Sequence, residues 1–317
     1  MSPLPSFLTS APPTVGVEIA SDRVTAVSLA RHGGRATLAA HATERLAPGL
    51  VTPALNAANI HDRPAVAKAL RAVFAALGGS PRRIALVIPD TAAKVSLLRF
   101  DKVPAASDLD QLIRWQVRKS APFKPEDGLV SWVPAAALPG GGREFLVTMA
   151  RHDVIESYQQ VCGDAGVHAG VVDLASLNLV NAALAAGADT AGDWLVVHVA
   201  ADYATLAIVR GKDLIFFRTR QLEAETGIAD LVHQTAMYHE DRLGGSSFSR
   251  VLLSGTATRG ADAGERARRS LEERLGARVE ALDFRGSAAM RDRISAGPEL
   301  LDTLAPAVGV ILREGAA

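Results

Sequence analysis

Residues 15–29 read VGVEIASDRVTAVSL, and residues 194–217 read WLVVHVAADYATLAIVRGKDLIFF. In the first stretch, short β-branched runs flank Ser21-Asp22-Arg23 as the arms of a tight hairpin would. A third strand, about 35–46, is expected after a turn at Gly33-Gly34. The second stretch gives the same order of strand, tight turn, strand, glycine-containing turn and strand, and the two copies lie over each other without gaps. Ala20 falls on Ala200, Asp22 on Asp202, Thr25 on Thr205 and Glu18 on His198. The identities are few; the shared order of elements carries the argument. It predicts two α/β halves, each opened by a three-strand meander and closing around a cleft.

The segments around the meanders are legible from their periodicity. A helix is capped by Asp62, carries Pro64 in its first turn and stops at Gly78-Gly79, with Val66, Leu70, Val73, Phe74 and Leu77 as its buried stripe. IALVIP (84–89) is a buried strand ended by proline. Residues 90 to about 150 read as a small unit: a strand near 94–100, a helix over 107–120, and strands near 129–137 and 144–150 around a turn at Pro139-Gly140-Gly141-Gly142. In that helix Ser107 and Asp110 resemble a capping box, and Leu109, Leu112, Ile113 and Val117 form the apolar face. Helices over 152–165 and 174–186 follow. After the second meander come a helix near 225–243, the strand RVLLSG (250–255), a helix near 264–276, the strand VEAL and a terminal helix. The expected division is 1–83 with 167–190 and 299–317 as the first subdomain, 84–166 as an inserted one, and 191–298 as the second half.

Composition excludes several classes. The 317 residues are 48% apolar and 21% charged, enough apolar surface for a compact soluble fold of about two domains. Thirty-four basic residues balance thirty-four acidic ones, leaving no net field for a polyanion, which argues against nucleic acid as the main ligand. The single cysteine, Cys162, excludes a disulfide framework and reads as a small core residue. The start, MSPLPSFLTSAPP, has neither the basic nor the apolar region of a signal peptide, and no apolar run approaches a bilayer span. There is no P-loop, no dinucleotide fingerprint and no nucleophile elbow around Ser254. His233 and His239 lie about 240° apart on a helix and cannot share a metal from one face; the scattered histidines read as surface or half-buried residues.

The duplicated meander resembles the actin-like, ribonuclease H-like superfamily. VGVEIASDRVTAVSLAR, LDQLIRWQVRKSAPFKPED, the strand, helix and strand from Phe145 to Asp173, and the closing LAPAVGVILR resemble the type IV pilus assembly family PilM, related to FtsA, from Val15 to about Arg313. The resemblance implies that the two hairpins grip nucleotide phosphates through Gly-x-Asp-x-Gly patterns whose aspartates hold hydrated magnesium. Here Gly16 remains, but Glu18 takes the aspartate position and Ala20 that of a glycine. In the second hairpin His198 and Ala200 stand at these places, and the adenosine turn, Leu253-Ser254-Gly255-Thr256-Ala257, keeps one glycine. Imidazole is a poor ligand for magnesium. Gly16, Glu18, Ser21, Asp22, His198, Asp202, Thr205 and Gly255 are therefore expected to mark a vestigial nucleotide cleft without catalysis, ATP or ADP with magnesium being the cofactor the superfamily implies. Glu18 and His198 could instead pair directly and stitch the halves together.

The resemblance also implies partners: the N-terminal cytoplasmic tail of a PilN-like inner-membrane protein, held between the inserted subdomain and the first hairpin domain, and other platform or motor proteins. Arg114, Trp115, Arg118 and Phe123 are the expected contacts, arginine and tryptophan being enriched at interface hot spots. The expected role is a cytoplasmic adaptor reaching the inner membrane through that partner. Three alternatives stand beside it: an active ATPase, a filament-forming actin relative, and the GspL-like subunit of a type II secretion system. GspL-like chains usually continue into a transmembrane helix, and the end at Ala317 favours PilM.

Overall fold

The computed structural model describes residues 13–32, 35–187, 192–222, 227–256, 261–291 and 297–313. The expected turn at Gly33-Gly34, Ala257 of the adenosine turn and nearly all of the proline-broken N-terminus lie outside them.

Strands β1 (Val15–Ile19), β2 (Arg23–His32) and β3 (Arg35–Arg45) form the first meander, and β9 (Asp193–Val199), β10 (Tyr203–Arg210) and β11 (Asp213–Gln221) the second. Their pairing repeats as the gapless alignment requires: Glu18 lies opposite Thr25 and His198 opposite Thr205, Val17 opposite Ala26 and Val197 opposite Leu206. Thr25 faces Thr43 and Thr205 faces Thr219, and in both copies the hydroxyls bond across the strands, at 3.3 and 2.9 Å.

Each meander is extended by parallel strands. Beside β1 lie β4 (Arg83–Ile88) and then β8 (His168–Leu174); beside β9 lie β12 (Arg250–Ser254) and then β13 (Val279–Ala281). Two α/β units with equivalent strand orders result, and the fold is actin-like α/β. The third sheet is antiparallel, with β7 (Arg143–Arg151) between β5 (Ala93–Phe100) and β6 (Gly128–Ala137).

Three elements depart from the expected division. Strand β4 belongs to the first sheet, because its alternate residues feed the cores on both faces, so the excursion to the small sheet begins only at β5. Helix α3 (His152–Asp164) packs its Val154, Tyr158 and Val161 into the same core as helix α1 (Arg63–Ala76). A short strand absent from the sequence reading, β14 (Ala288–Met290), joins β3 although it lies within the range given to the second half. Three residues are too few for a pattern of period two.

The elements form layers: α1 and α3 cover one face of the first sheet, while α4 (Ala175–Ala185) and α7 (Pro298–Leu312) fill the space between the two large sheets. The far face of the second sheet is covered by α5 (Ile228–Leu243) and α6 (Ala261–Leu275). Asp62 caps α1 through the Ala65 N–H at 2.9 Å, and Gly78, at φ +99°, lets the chain leave it. Cys162 is buried in the first core, where burial pushes its thiol up to about 12.

The capping box on α2 (Ala106–Arg118) is not formed. Ala105 is the cap residue and makes no side-chain bond; Asp110 instead accepts the Trp132 Nε1–H at 2.9 Å and pairs with Arg114. Ser107 lies inside the first turn rather than at the cap, and its hydroxyl donates to Asp108 at 3.0 Å. Leu109, Ile113 and Val117 are buried as expected, whereas Leu112 is 38% exposed. His239 departs from the surface reading: it is 1% exposed, is hydrogen-bonded to Asp193 and is stacked on Phe248.

Candidate functional site

The two meanders meet at their hairpin turns, where Ser21 Oγ donates to Asp202 Oδ1 at 3.1 Å. Burial raises the Asp202 carboxyl above its ordinary value, partly offset by that bond. Glu18 and His198 do not pair. The Glu18 carboxylate accepts from Arg23 Nη2 at 3.0 Å, and His198 Nδ1 lies 2.9 Å from Ser176 Oγ. A guanidinium just past the turn of the same hairpin reaches Glu18 without any domain contact, which is why the cross-cleft pair fails. Asp22 is held by the same arginine, Nη1 to Oδ1 at 3.1 Å.

At the junction of the halves sits Asp90, fully buried just after β4. Its Oδ1 accepts the Ser176 N–H at 3.0 Å; its Oδ2 accepts the Ser176 hydroxyl and, at 2.7 Å, that of Thr205. Because the one Ser176 hydroxyl proton goes to Asp90, His198 Nδ1 must be the donor to Ser176. The ordered chain from His198 through Ser176 to Asp90 joins β9, the first turn of α4 and the end of β4. It is no nucleophilic triad, since the serine is buried and its proton is turned toward the carboxylate. Asp90 was missed in the sequence; the signal was there in IALVIPD, an acid placed directly after a buried strand and its terminating proline.

The third motif also closes on itself. Asp302 of α7 accepts from Ser254 Oγ at 2.6 Å and the Gly255 N–H at 2.7 Å. Gly255 has φ +88°, and a Cβ there would lie 2.5 Å from Val199 O. Gly16, expected at a phosphate, is needed for packing, since a Cβ would come 2.0 Å from Ala307 O of α7. Beside Asp302 a cavity of about 500 Å³ opens between Thr256, α6 and the start of α7.

These donors do not fit hydrated magnesium. Of the two hairpin positions where acids for the metal were expected, Glu18 is bound by a cation and His198 is a nitrogen donor engaged with Ser176, and magnesium takes oxygen ligands. Among the described residues no group of three or more His, Cys, Asp or Glu side chains is arranged to hold a metal.

A second feature lies between the small sheet and the body. Trp132, Phe145, Val147 and Met149 face α2, so the opposite face presents Leu129, Ser131 and Val133 of β6 and Leu146, Thr148 and Ala150 of β7. That face lines two adjoining cavities, of about 250 and 280 Å³, whose other walls come mainly from β8, α4, Arg313 and, in the first, residues 212–214 at the start of β11. They share Ser131, Thr148, Asp173 and Arg313, and Arg313 Nη1 lies 2.5 Å from Asp173 Oδ2. Burial raises the Asp173 carboxyl, with Arg313 opposing. Leu129 and Val133 are 42% and 52% exposed. Among the described residues strand β6 pairs with β7 alone, so its other edge is without a strand partner beside the groove.

The four expected partner residues do not line this groove. Arg114 pairs with Asp110, Trp115 is 55% exposed beneath Lys119 Nζ at 3.6 Å, and Arg118 is exposed. Phe123 is half-buried in the α2 core. All four belong to the α2 side of the small sheet.

Residues 16–242 match the family described as Type IV pilus assembly protein PilM. The chain belongs to this family. A solved PilM-PilN type IV pilus biogenesis complex is similar in fold at 16% identity and a TM-score of 0.79, with 96% of this chain and 98% of that chain covered. More distant likenesses extend beyond PilM. The ethanolamine utilization protein EutJ from Carboxydothermus hydrogenoformans has a TM-score of 0.52 at 13% identity, covering 96% and 90%. An actin-like ATPase-fold protein from Bacteroides thetaiotaomicron has 0.51 at 11%, covering 88% and 93%. These three share the fold. No curated protein matches the sequence. No described helix is long and apolar enough to cross a membrane.

Proposed function

We propose that this PilM-family chain is a cytoplasmic adaptor of a type IV pilus machine, holding the N-terminal tail of a PilN-like inner-membrane protein, with a nucleotide cleft that no longer supports hydrolysis. The observation that carries the reading is the groove between the small sheet and the body. It combines an unpaired strand edge, exposed Leu129 and Val133, and an ion pair at its floor between exposed Arg313 and the largely covered Asp173. An extended tail suits such a site, ordering as its alternate side chains enter the apolar face. The solved PilM-PilN complex supports the choice of partner. Contacts with other platform or motor proteins, and attachment to the inner membrane through the tail-bearing protein, follow from the same role.

The adaptor reading is supported at the cleft by hairpin tips bonded to each other and by Glu18 already bound to Arg23. Calorimetric titration of the PilN-like tail into this chain tests it: saturable binding that Val133→Asp weakens at least tenfold is expected. Equal affinity in the variant would remove the groove as the site. Phosphate release from magnesium-ATP that Glu18→Ala abolishes would overturn the non-catalytic reading.

A further inference from the structure

Arg23 has no place in the sequence reading of the cleft, yet the structure sets its guanidinium against two of the acids expected there. It is 8% exposed at the first residue of β2, and its two terminal nitrogens bind Glu18 and Asp22 at 3.0 and 3.1 Å. Burial alone would weaken its charge, but Glu18, Asp22 and Asp302 outweigh that and hold its pKa above the ordinary value. All three acids lie on the motifs that would surround a metal-nucleotide: two on the first hairpin, and one on the residue that caps the Gly255 turn.

We infer that Arg23 is the resident cation of the cleft, occupying the acids that a divalent metal would use and thereby excluding the metal. A guanidinium satisfies two carboxylates at once with directed bonds, whereas hydrated magnesium needs carboxylates free to accept its waters. Displacing Arg23 would strand a buried charge, so metal would have to compete against the fold itself. Arg23 Nε is buried and without a hydrogen-bond partner, leaving one N–H of the kind a phosphate oxygen accepts.

This rests on the reading of the cleft as a rebuilt nucleotide site and is independent of where the tail docks. The test uses the full chain and manganese(II) as probe, with uptake read from the loss of the free-ion paramagnetic resonance signal, alone and with ATP. The wild type is expected to take up no manganese in the cleft at concentrations below millimolar. Arg23→Gln, which frees Glu18 and Asp22, is expected to tighten uptake at least tenfold, and Glu18→Gln in the same chain to return it to the wild-type level. Wild-type uptake that Glu18→Gln removes would overturn the inference, as would an Arg23→Gln chain binding no more tightly than wild type. Should Arg23→Gln fail to fold, the wild type against Glu18→Gln decides alone: equal absence of uptake supports the inference, and uptake confined to the wild type sinks it. Tail titrations on the same samples separate this outcome from that of the adaptor reading, because tail binding can fail while the manganese pattern holds.

Discussion

The Thr205 hydroxyl donates to the buried Asp90 carboxylate at 2.7 Å, tying the second meander to the strand end that follows the first. With Ser176 bonded to the same carboxylate through its N–H and hydroxyl, one acid of the first half collects donors from the second meander and from the helix between the halves. Hydrogen bonds to a charged group contribute about 1.5–3 kcal/mol each, and stranding buried donors forfeits more than deleting both partners. Closure of the halves is thus built from the protein's own side chains.

Asp90→Ala should therefore destabilise the chain by at least about 3 kcal/mol, since Ser176 and Thr205 keep buried donors with nothing to receive them. Asp90→Asn retains one carbonyl acceptor and lets the two hydroxyls turn to accept, so a smaller loss of about 1–2 kcal/mol is expected. Urea unfolding of both variants measures the order. Equal stability of Asp90→Ala and wild type would show that the junction is held elsewhere.

The glycines separate packing from loop chemistry. Gly16→Ala places a methyl group 2.0 Å from a backbone carbonyl of α7, which cannot rotate away, and should cost about 3 kcal/mol or prevent folding. Gly163→Ala, inside α3 with nothing within 4 Å of its would-be Cβ, should stabilise by about 0.5–1 kcal/mol through helix propensity. Thermal midpoints moving in opposite directions would bear this out.

What the sequence disclosed, and what it hid, divides along periodicity. The gapless overlay of the two meanders anticipated that they would be built alike, and their registers do repeat, with Glu18 opposite Thr25 and His198 opposite Thr205, because a strand register is a property of contiguous residues. The bond partners of Glu18 and His198 were hidden. They depend on which buried polar group reaches a carboxylate first, and for Glu18 that is Arg23, five residues along the chain. Asp90 was hidden for the opposite reason: its donors lie 86 and 115 residues away, at a distance no local pattern records. The position of Trp115 relative to the groove was hidden too, because an aromatic beside an arginine reads alike on any exposed helix, and only the sheet shows that α2 lies on its opposite face.

Asp202 supplies a pH dependence whose sign is fixed by its environment. Its carboxyl is raised from 3.8, chiefly by burial, so the folded chain holds this proton more tightly than the unfolded one. The resulting stability is fully present below the unfolded value and is lost as pH rises through the folded one. Asp202→Asn, which still offers Ser21 an acceptor, removes that term. Relative to wild type the variant should gain stability as pH rises through this window and hold a constant difference above it. Denaturant titrations from pH 4 to pH 7 follow the difference, and parallel profiles would mean that Asp202 titrates as an exposed acid.

Trp115 gives the sharpest separation of the two faces of the small sheet. Its ring lies beneath Lys119 on the exposed side of α2, while the groove is lined from the opposite sheet face by Leu129, Ser131 and Val133. Losing an exposed cation–π contact costs about 0.5–1 kcal/mol. Trp115→Ala should therefore lower stability by no more than that and leave tail affinity within twofold of wild type, where Val133→Asp weakens it at least tenfold. Calorimetry on the two variants side by side makes the comparison. If Trp115→Ala were the one to abolish capture, the tail would have to cross the α2 surface rather than enter the groove, and the unpaired edge of β6 would lose its assigned role.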